Sequence, residues 1–161
     1  MLDKQQTYRY LDEHGVSYEV TEHEAVFNMA EVAQVNLPYP ELDAKNLFLR
    51  DDKRRSYHLV TVRGDRHVDL KAFRRAHGLR ALSFASADEL RDRLGLTPGA
   101  VTPLGLLNDD SRSVTLFLDE GLMGGLVGVH PNDNPATVWL AAEDLVRIVR
   151  EHGNEVQVVA L

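Results

Sequence analysis

Residues 128–137 constrain the fold of this chain more than any other stretch. Within ten positions they contain two prolines, two asparagines and an aspartate, a composition that predicts a tight turn. An apolar, glycine-rich run over residues 121–129 leads into the turn, and residues 136–140 leave it as a predicted strand. His130 lies where the first arm meets the turn, and a ring that titrates near neutral pH in a fixed backbone is typical of a functional site. A plain hairpin with a capping histidine is the alternative.

Length and composition limit the class of protein. The 161 residues are predicted to form one domain, 1–161, which is large enough to bury a core. The chain has no cysteine, which excludes disulfides, thiolate zinc sites and cysteine nucleophiles. Residues 1–6 are polar, and no run approaches the roughly 18 apolar residues of a membrane span. We therefore expect a cytoplasmic protein that does not bind a membrane.

The charged residues are distributed unevenly along the chain. The net charge is −7, yet residues 45–80 contain 11 lysines and arginines against 4 acidic residues. This segment predicts a basic surface that contacts phosphates while the rest of the protein repels them. Solvated helix faces are the alternative interpretation.

Hydrophobic periodicity and capping residues predict a mixture of helices and strands. Helices are predicted at residues 2–14, 29–34 with the N-cap Asn28, 70–77, 87–94 with the N-cap Ser86, and 143–151. Strands are predicted at residues 16–20, 45–50, 56–62, 114–118, 126–129, 136–140 and 155–160. Because the elements do not follow a strict βαβ alternation, we expect an α+β domain with a curved mixed sheet.

No side chain in the sequence is an evident nucleophile. The seven histidines lack the spacing of a zinc site, and neither a serine nucleophile elbow nor a phosphate-binding loop occurs. The acidic pairs at residues 51–52 and 109–110 are predicted to be solvated turn residues. An enzyme built from this chain must therefore use backbone groups, positioning or groups of its own substrate.

Residues 97–105 and Lys45 are two further features that suit a site. The loop contains two prolines and two glycines but is apolar, which predicts a backbone held in a fixed shape against the core. Lys45 begins an apolar strand, and a lysine is a mobile charge suited to a phosphate. Protection of a strand edge against aggregation is the alternative for a lysine in this position.

Three stretches together resemble a known family. Residues 45–51 (Lys-Asn-Leu-Phe-Leu-Arg-Asp), 99–103 (Gly-Ala-Val-Thr-Pro) and 128–131 (Gly-Val-His-Pro) are similar to the motifs of the prolyl-tRNA synthetase-associated editing domain. The freestanding members of that family are trans-editing deacylases. The resemblance covers essentially the whole chain, and residues 96–109 and 130–137 look most like the subgroup that removes alanine from mischarged tRNA(Pro). Many members carry a hydroxyl residue before the lysine, where this chain has Ala44.

The resemblance implies a barrel-like sheet flanked by helices and the hydrolysis of an aminoacyl ester, without a metal or a cofactor. The backbone of Gly99, Ala100 and Val101 would bind the ester carbonyl and order the attacking water, and a ribose hydroxyl of the substrate would assist. Lys45 would hold the terminal phosphate and His130 would line the aminoacyl pocket. Residues expected to contact the substrate beside them are Asn46, Thr102, Pro103, Gly128 and Pro131.

Several alternatives stay open on the sequence alone. Sister groups of the family act on cysteine, serine or other amino acids, and a module of the same fold could dock a tRNA end or a synthetase without turnover. The basic segment predicts an acceptor-stem surface, and recognition of tRNA(Pro) can be direct or can use prolyl-tRNA synthetase as a partner. The residues expected on that surface are Arg54, Arg55, Lys71, Arg74 and Arg75.

Overall fold

The fold consists of two β-sheets with helices packed around them. A computed structural model describes residues 1–23 and 37–161, so the helix expected at residues 29–34 with its N-cap Asn28 lies outside the described residues. The described α-helices are α1 (Lys4–Glu13), α2 (Leu70–Ala76), α3 (Ala87–Leu94) and α4 (Ala142–His152). The strands are β1 (Tyr18–Glu22), β2 (Ala44–Asp51), β3 (Tyr57–Arg63), β4 (Leu82–Phe84), β5 (Thr115–Asp119), β6 (Leu126–Val129), β7 (Ala136–Ala141) and β8 (Val156–Val159).

The larger sheet is mixed and the smaller one is antiparallel. Five strands follow the order β4-β2-β3-β5-β8, in which β5 runs parallel to both of its neighbours and the other pairs are antiparallel. Three strands follow the order β1-β7-β6. The prediction of an α+β fold with a mixed sheet is confirmed.

The expected barrel-like closure of the sheet is wrong. Over the described ranges the two sheets stay open and approach each other through one isolated parallel bridge between Asp43 and Gly128. The bridge does not extend into a ladder because β6 ends at Val129 and the chain then turns at Pro131, which has no N–H to donate.

Local sequence signals account for the ends of the helices. The side chains of Asp3 and Ser86 cap α1 and α3, and each forms a capping box with the residue three positions on. Gly95 ends α3 with a φ of +67°, a conformation that favours glycine. The three-residue strand β4 was not predicted, because it is short and two of its residues are exposed, so it has no alternating pattern.

Two apolar clusters form the core. The larger cluster joins β2 and β3 (Phe48, Leu59) to α4 (Leu145, Ile148) and to the smaller sheet, which contributes Val138. The second cluster lies under α2 and comprises Leu49, Val60, Val62, Phe73 and Phe117. Neighbouring residues of β2 belong to different clusters, as the alternation of side chains along a strand requires.

Two carboxylates expected in solvent are buried. Asp51 accepts hydrogen bonds from the backbone N–H groups of Lys53 (3.1 Å) and Arg55 (2.8 Å) and so holds the β2–β3 turn. Asp109 accepts from the N–H of Val114 (3.0 Å) and from Asn154 (2.9 Å). These residues do lie in turns, but backbone donors replace the water that the prediction assigned to them.

No helix in the described ranges is long and apolar enough to cross a membrane.

Candidate active site

The three motif segments meet at the junction of the two sheets. The bridge between Asp43 and Gly128 joins the start of β2 to the end of β6. The hydroxyl of Thr102 donates a hydrogen bond of 2.6 Å to the carbonyl oxygen of His130. The side-chain amide of Asn134 donates to the carbonyl oxygen of Gly99. Segments that are distant in the sequence are therefore fixed against one another at one place.

The loop between α3 and β5 has a rigid backbone, as its composition predicts. Two 3-10 helices, Pro98–Ala100 and Pro103–Asn108, occupy it, and every residue of the second is buried. Thr102 also accepts a hydrogen bond from the N–H of Leu104 (3.3 Å), which fixes the link between the two turns. A loop held in this way presents its backbone groups without further ordering when a ligand binds.

The backbone N–H groups of this loop are not equivalent. The N–H of Ala100 donates to the carbonyl of Thr97 (2.9 Å), so the turn itself already uses it. Pro98 and Pro103 have no N–H. Within the described part of the chain, the N–H of Val101 has no acceptor. Of the loop residues expected to bind the ester carbonyl, Val101 is thus a donor that remains available, while Ala100 is not.

Lys45 and Asn46 lie side by side in the sequence but on opposite faces of β2. The ammonium of Lys45 donates to the carbonyl of Arg66, whereas Asn46 accepts a hydrogen bond of 2.6 Å from the hydroxyl of Thr61. The period of two along a strand dictates this separation. The two side chains therefore leave β2 on opposite faces, and a contact of both with the terminal phosphate stays a prediction.

Asn46 instead lines a pocket next to the loop. The pocket has a volume of about 230 Å³ and lies between β2, residues 84–87 and the loop residues Pro98 and Val101. Its wall on β2 is formed by Asn46 and Phe48. The structure thus brings Asn46 to the loop and Lys45 to the other face of the sheet.

His130 is held as a neutral ring with a defined tautomer. Its Nδ1 lies 2.9 Å from the carbonyl oxygen of Ala136. Because a carbonyl only accepts, Nδ1 carries the proton, and the lone pair on Nε2 has no hydrogen-bond partner among the described residues. Burial lowers the pKa of His130, and the nearby His23 lowers it further. The hydrogen bond to the carbonyl of Ala136 acts in the opposite direction. The net shift favours the neutral form of the ring.

His23 is a second histidine at the junction, and sequence reasoning missed it. Its ring centroid lies 6.3 Å from that of His130, and its Nε2 lies 2.9 Å from the hydroxyl of Thr137. The backbone N–H of His23 donates to the carbonyl of Pro135 (3.0 Å). In the sequence it stands between two glutamates, a context that gives no sign of a site.

Gly128 is required by packing. A Cβ atom at this position would lie 2.3 Å from Cζ3 of Trp139, which is fully buried opposite it on β7. Pro131 is buried at the start of the turn. The contacts with substrate expected of these two residues stay predictions.

The basic residues of the predicted tRNA surface are divided between two places. Arg54 and Arg55 lie at the tip of the β2–β3 hairpin, about 20 Å from Lys45, since six residues of strand separate the tip from it. The other three, Lys71, Arg74 and Arg75, lie on α2. None of the five forms an ion pair within the described residues, whereas Arg80 pairs with Asp52 at 2.6 Å. Their charges are available to phosphates.

No metal centre is evident in residues 1–23 and 37–161. They contain no group of three or more histidine and carboxylate side chains that could hold a metal ion. The candidate site predicted from the sequence is made of backbone groups, a lysine and a histidine, and the structure adds His23 beside that histidine.

Comparison with known proteins agrees with the sequence motifs. The family model of the aminoacyl-tRNA editing domain matches residues 23–148. The chain is 42% identical over 159 residues to the prolyl-tRNA editing protein ProX of Acetoanaerobium sticklandii, covering 98% of this chain and 97% of that protein. It is 34% identical over 146 residues to prolyl-tRNA synthetase associated domain-containing protein 1 of Bos taurus, covering 88% of this chain and 85% of that protein.

A solved structure supports the fold. A crystal structure described as a candidate trans-editing enzyme for prolyl-tRNA synthetase superposes with a TM-score of 0.69 and 21% identity, covering 100% of this chain and 99% of that one. The two sequence matches and the family model lead to one conclusion. The chain belongs to the aminoacyl-tRNA editing domain family.

Proposed function

We propose that this protein is a trans-editing deacylase that hydrolyses the ester between alanine and the 3′-terminal adenosine of mischarged tRNA(Pro). Editing of an aminoacyl-tRNA is the hydrolysis of this ester, and as a member of the family the chain is an aminoacyl-tRNA hydrolase. The observation that carries the proposal is the attachment of the rigid loop at residues 98–103 to His130 through Thr102. This hydrogen bond ties the loop that carries the backbone donors to the backbone of His130 and so supports the proposal.

The choice of tRNA rests on the relatives. The protein from Acetoanaerobium sticklandii is named as a prolyl-tRNA editing protein, and the two chains match over nearly their full lengths. The choice of alanine rests on the resemblance of residues 96–109 and 130–137 to the alanine-specific subgroup.

The hydrolysis is assigned to backbone groups and the substrate. Water attacks the ester carbonyl carbon, and the N–H of Val101 stabilises the oxyanion that forms. The bond between this carbon and the ribose oxygen then breaks, and a proton from the attacking water passes to that oxygen, which releases alanine and leaves the hydroxyl on the tRNA. The neighbouring ribose hydroxyl orders the water. The lone pair on Nε2 of His130 accepts a hydrogen bond from the substrate or the water.

We assign the position of the substrate to Lys45 and the limit on its size to the aminoacyl site. The ammonium of Lys45 leaves its carbonyl partner on Arg66 and binds the terminal phosphate, a charge-assisted contact that is stronger than the one it replaces. Synthetases discriminate poorly among small side chains by binding alone, so a second, size-selective site removes the smaller product. We assign the exclusion of proline to the size of the aminoacyl site.

Deacylation of tRNA(Pro) charged with alanine, cysteine, serine or proline tests the proposal. We expect the wild type to release alanine fastest and to leave proline attached. Lys45→Ala should lose most of this activity. Lys53→Ala is the matched control, because Lys53 is an exposed lysine at the hairpin tip, remote from the junction.

The remaining outcomes separate the alternatives. Release of cysteine or serine in preference to alanine would change the assigned amino acid and leave the assigned site residues unchanged. Binding of the charged tRNA without release of any amino acid would contradict the deacylase and favour a docking module. The name of the Bos taurus relative makes prolyl-tRNA synthetase the partner to add to the same assay.

A further inference from the structure

We propose that Asp43 binds the α-ammonium group of the aminoacyl ester. This inference rests on the proposed function, because it assigns a residue to a substrate of the same site. It adds a negatively charged contact to a junction for which the sequence motifs name only a lysine, a histidine and backbone groups.

The backbone of Asp43 is fixed at the centre of the junction. It forms the bridge with Gly128, and its carbonyl accepts a hydrogen bond of 2.9 Å from the N–H of Gly64. Because the bridge is parallel, both chains leave it in the same direction, and Lys45 and His130 each lie two residues beyond it. Asp43 thus lies at the bridge itself, two residues before Lys45 on its own segment and next to the segment that leads to His130.

The carboxylate of Asp43 has no partner among the described residues. It makes no hydrogen bond and no ion pair with any of them, although it is only partly exposed. The cations nearby in sequence contact other groups, since Arg63 pairs with Asp65 at 3.4 Å and Arg66 lies 3.9 Å from Asp119. Burial raises the pKa of the Asp43 carboxyl to about 6, so the group is still ionised at the slightly alkaline pH of translation assays. A desolvated, unpaired carboxylate is unfavourable, and a cationic ligand offsets that cost.

The substrate provides this cation at a matching position. Asp43 and Lys45 project from the same face of an extended segment, with Cα atoms about 7 Å apart. The end of an aminoacyl-tRNA has a negative phosphate on one side of its last ribose and a positive α-ammonium on the other. With the phosphate on Lys45, the ammonium faces Asp43. This pair of contacts orients the ester and does not depend on the amino acid side chain.

A substrate that lacks only the ammonium tests the assignment. Nitrous acid converts alanyl-tRNA(Pro) into lactyl-tRNA(Pro), in which a hydroxyl replaces the ammonium. The hydrolysis rate of each ester is measured with the wild type, with Asp43→Asn and without protein. Each catalysed rate is then divided by the spontaneous rate of the same ester. We expect the wild type to favour alanyl over lactyl ester by about ten- to a hundredfold, the range for a hydrogen bond between charged partners. Asp43→Asn should lose that preference by slowing the alanyl reaction alone.

Two results would overturn the assignment. One is an equal acceleration of both esters by the wild type, a comparison that needs no variant and so does not depend on folding. The other is an equal loss for both esters in Asp43→Asn. Glu41→Gln, which removes an exposed carboxylate two residues away, is the matched control and should keep the preference. If alanine proves not to be the substrate, the same comparison is made with the aminoacyl ester that the wild type does cleave and with its hydroxy-acid analogue. The role of Asp43 can then be tested even if the alanine proposal fails.

Discussion

Thr102 donates its hydroxyl proton to the carbonyl oxygen of His130 over 2.6 Å, and this hydrogen bond connects the loop that presents backbone donors to the histidine of the turn. The hydroxyl is fully buried, and it also accepts from the N–H of Leu104. One side chain therefore fixes both the shape of the loop and its distance from His130.

Thr102→Val should slow deacylation and destabilise the protein. The methyl group that replaces the hydroxyl leaves the buried N–H of Leu104 and the partly buried carbonyl of His130 without this partner, which costs about 1–3 kcal/mol. We expect the rate of the chemical step to fall more than tRNA affinity, because the loop donors lose their position and Lys45 is unaffected. Urea unfolding and single-turnover deacylation measure the two effects. Thr115→Val, which removes a long 3.4 Å contact to Glu155 at the surface, serves as the control. A Thr102→Val protein with unchanged rate would rule out the loop as the source of the oxyanion donor.

Gly128→Ala should be destabilising for reasons of packing. The new methyl group would lie 2.3 Å from the Trp139 ring, and relief requires the buried indole to move. Overpacking of this kind costs about 1–3 kcal/mol. Gly125→Ala is the matched control, since a methyl group there would meet nothing within 4 Å and the φ of Gly125 is not positive. Equal unfolding free energies for the two variants would show that the sheets adjust without strain.

Sequence patterns predict the local elements of this fold because caps and turns depend on residues a few positions apart. The capping box of Ser86 and the turn after Val129 are examples, and both lie where the sequence places them. The 98–103 loop was also predictable as a fixed, packed segment, since prolines and apolar residues together leave it few conformations.

The contacts between distant segments could not be predicted in this way. Nothing near Asp43 in the sequence indicates that Gly128 pairs with it, and nothing near His23 indicates that it lies against His130. The burial of Asp51 is similar, because its partners are backbone groups that sequence patterns do not describe. A closed sheet is what the family resemblance implies, and the single bridge at Asp43 shows why that expectation fails.

Reversing two charges on α2 should weaken tRNA binding. Arg74→Glu with Arg75→Glu removes two cations that have no ion-pair partner in the described structure, and it adds two negative charges. If they contact the acceptor stem, the slope of log K against log salt should flatten by roughly one to two. Arg91→Glu with Arg147→Glu makes the same charge change at arginines already paired with carboxylates, and it controls for net charge. An affinity and salt slope equal to those of this control would exclude α2 from the tRNA surface.

Asp43→Asn should stabilise the protein at pH 8 and have little effect near pH 4. The folded protein binds the Asp43 proton more tightly than the unfolded chain does, with a pKa of about 6 against 3.8. As the pH rises from about 4 to 6, ionisation of Asp43 therefore lowers the free energy of unfolding by up to about 3 kcal/mol. Above pH 6 this loss of stability is complete. Asparagine does not ionise and avoids that cost. His130 and Lys45 are the ionisable groups nearest to Asp43 along the bridged segments. Because both proteins contain them, their contributions largely cancel from the difference in unfolding free energy. Urea unfolding of both proteins at pH 4 and pH 8 measures it. If the Asp43→Asn variant is no more stable than the wild type at pH 8, the carboxylate already has a partner, and the unpaired charge on which ammonium binding depends is absent.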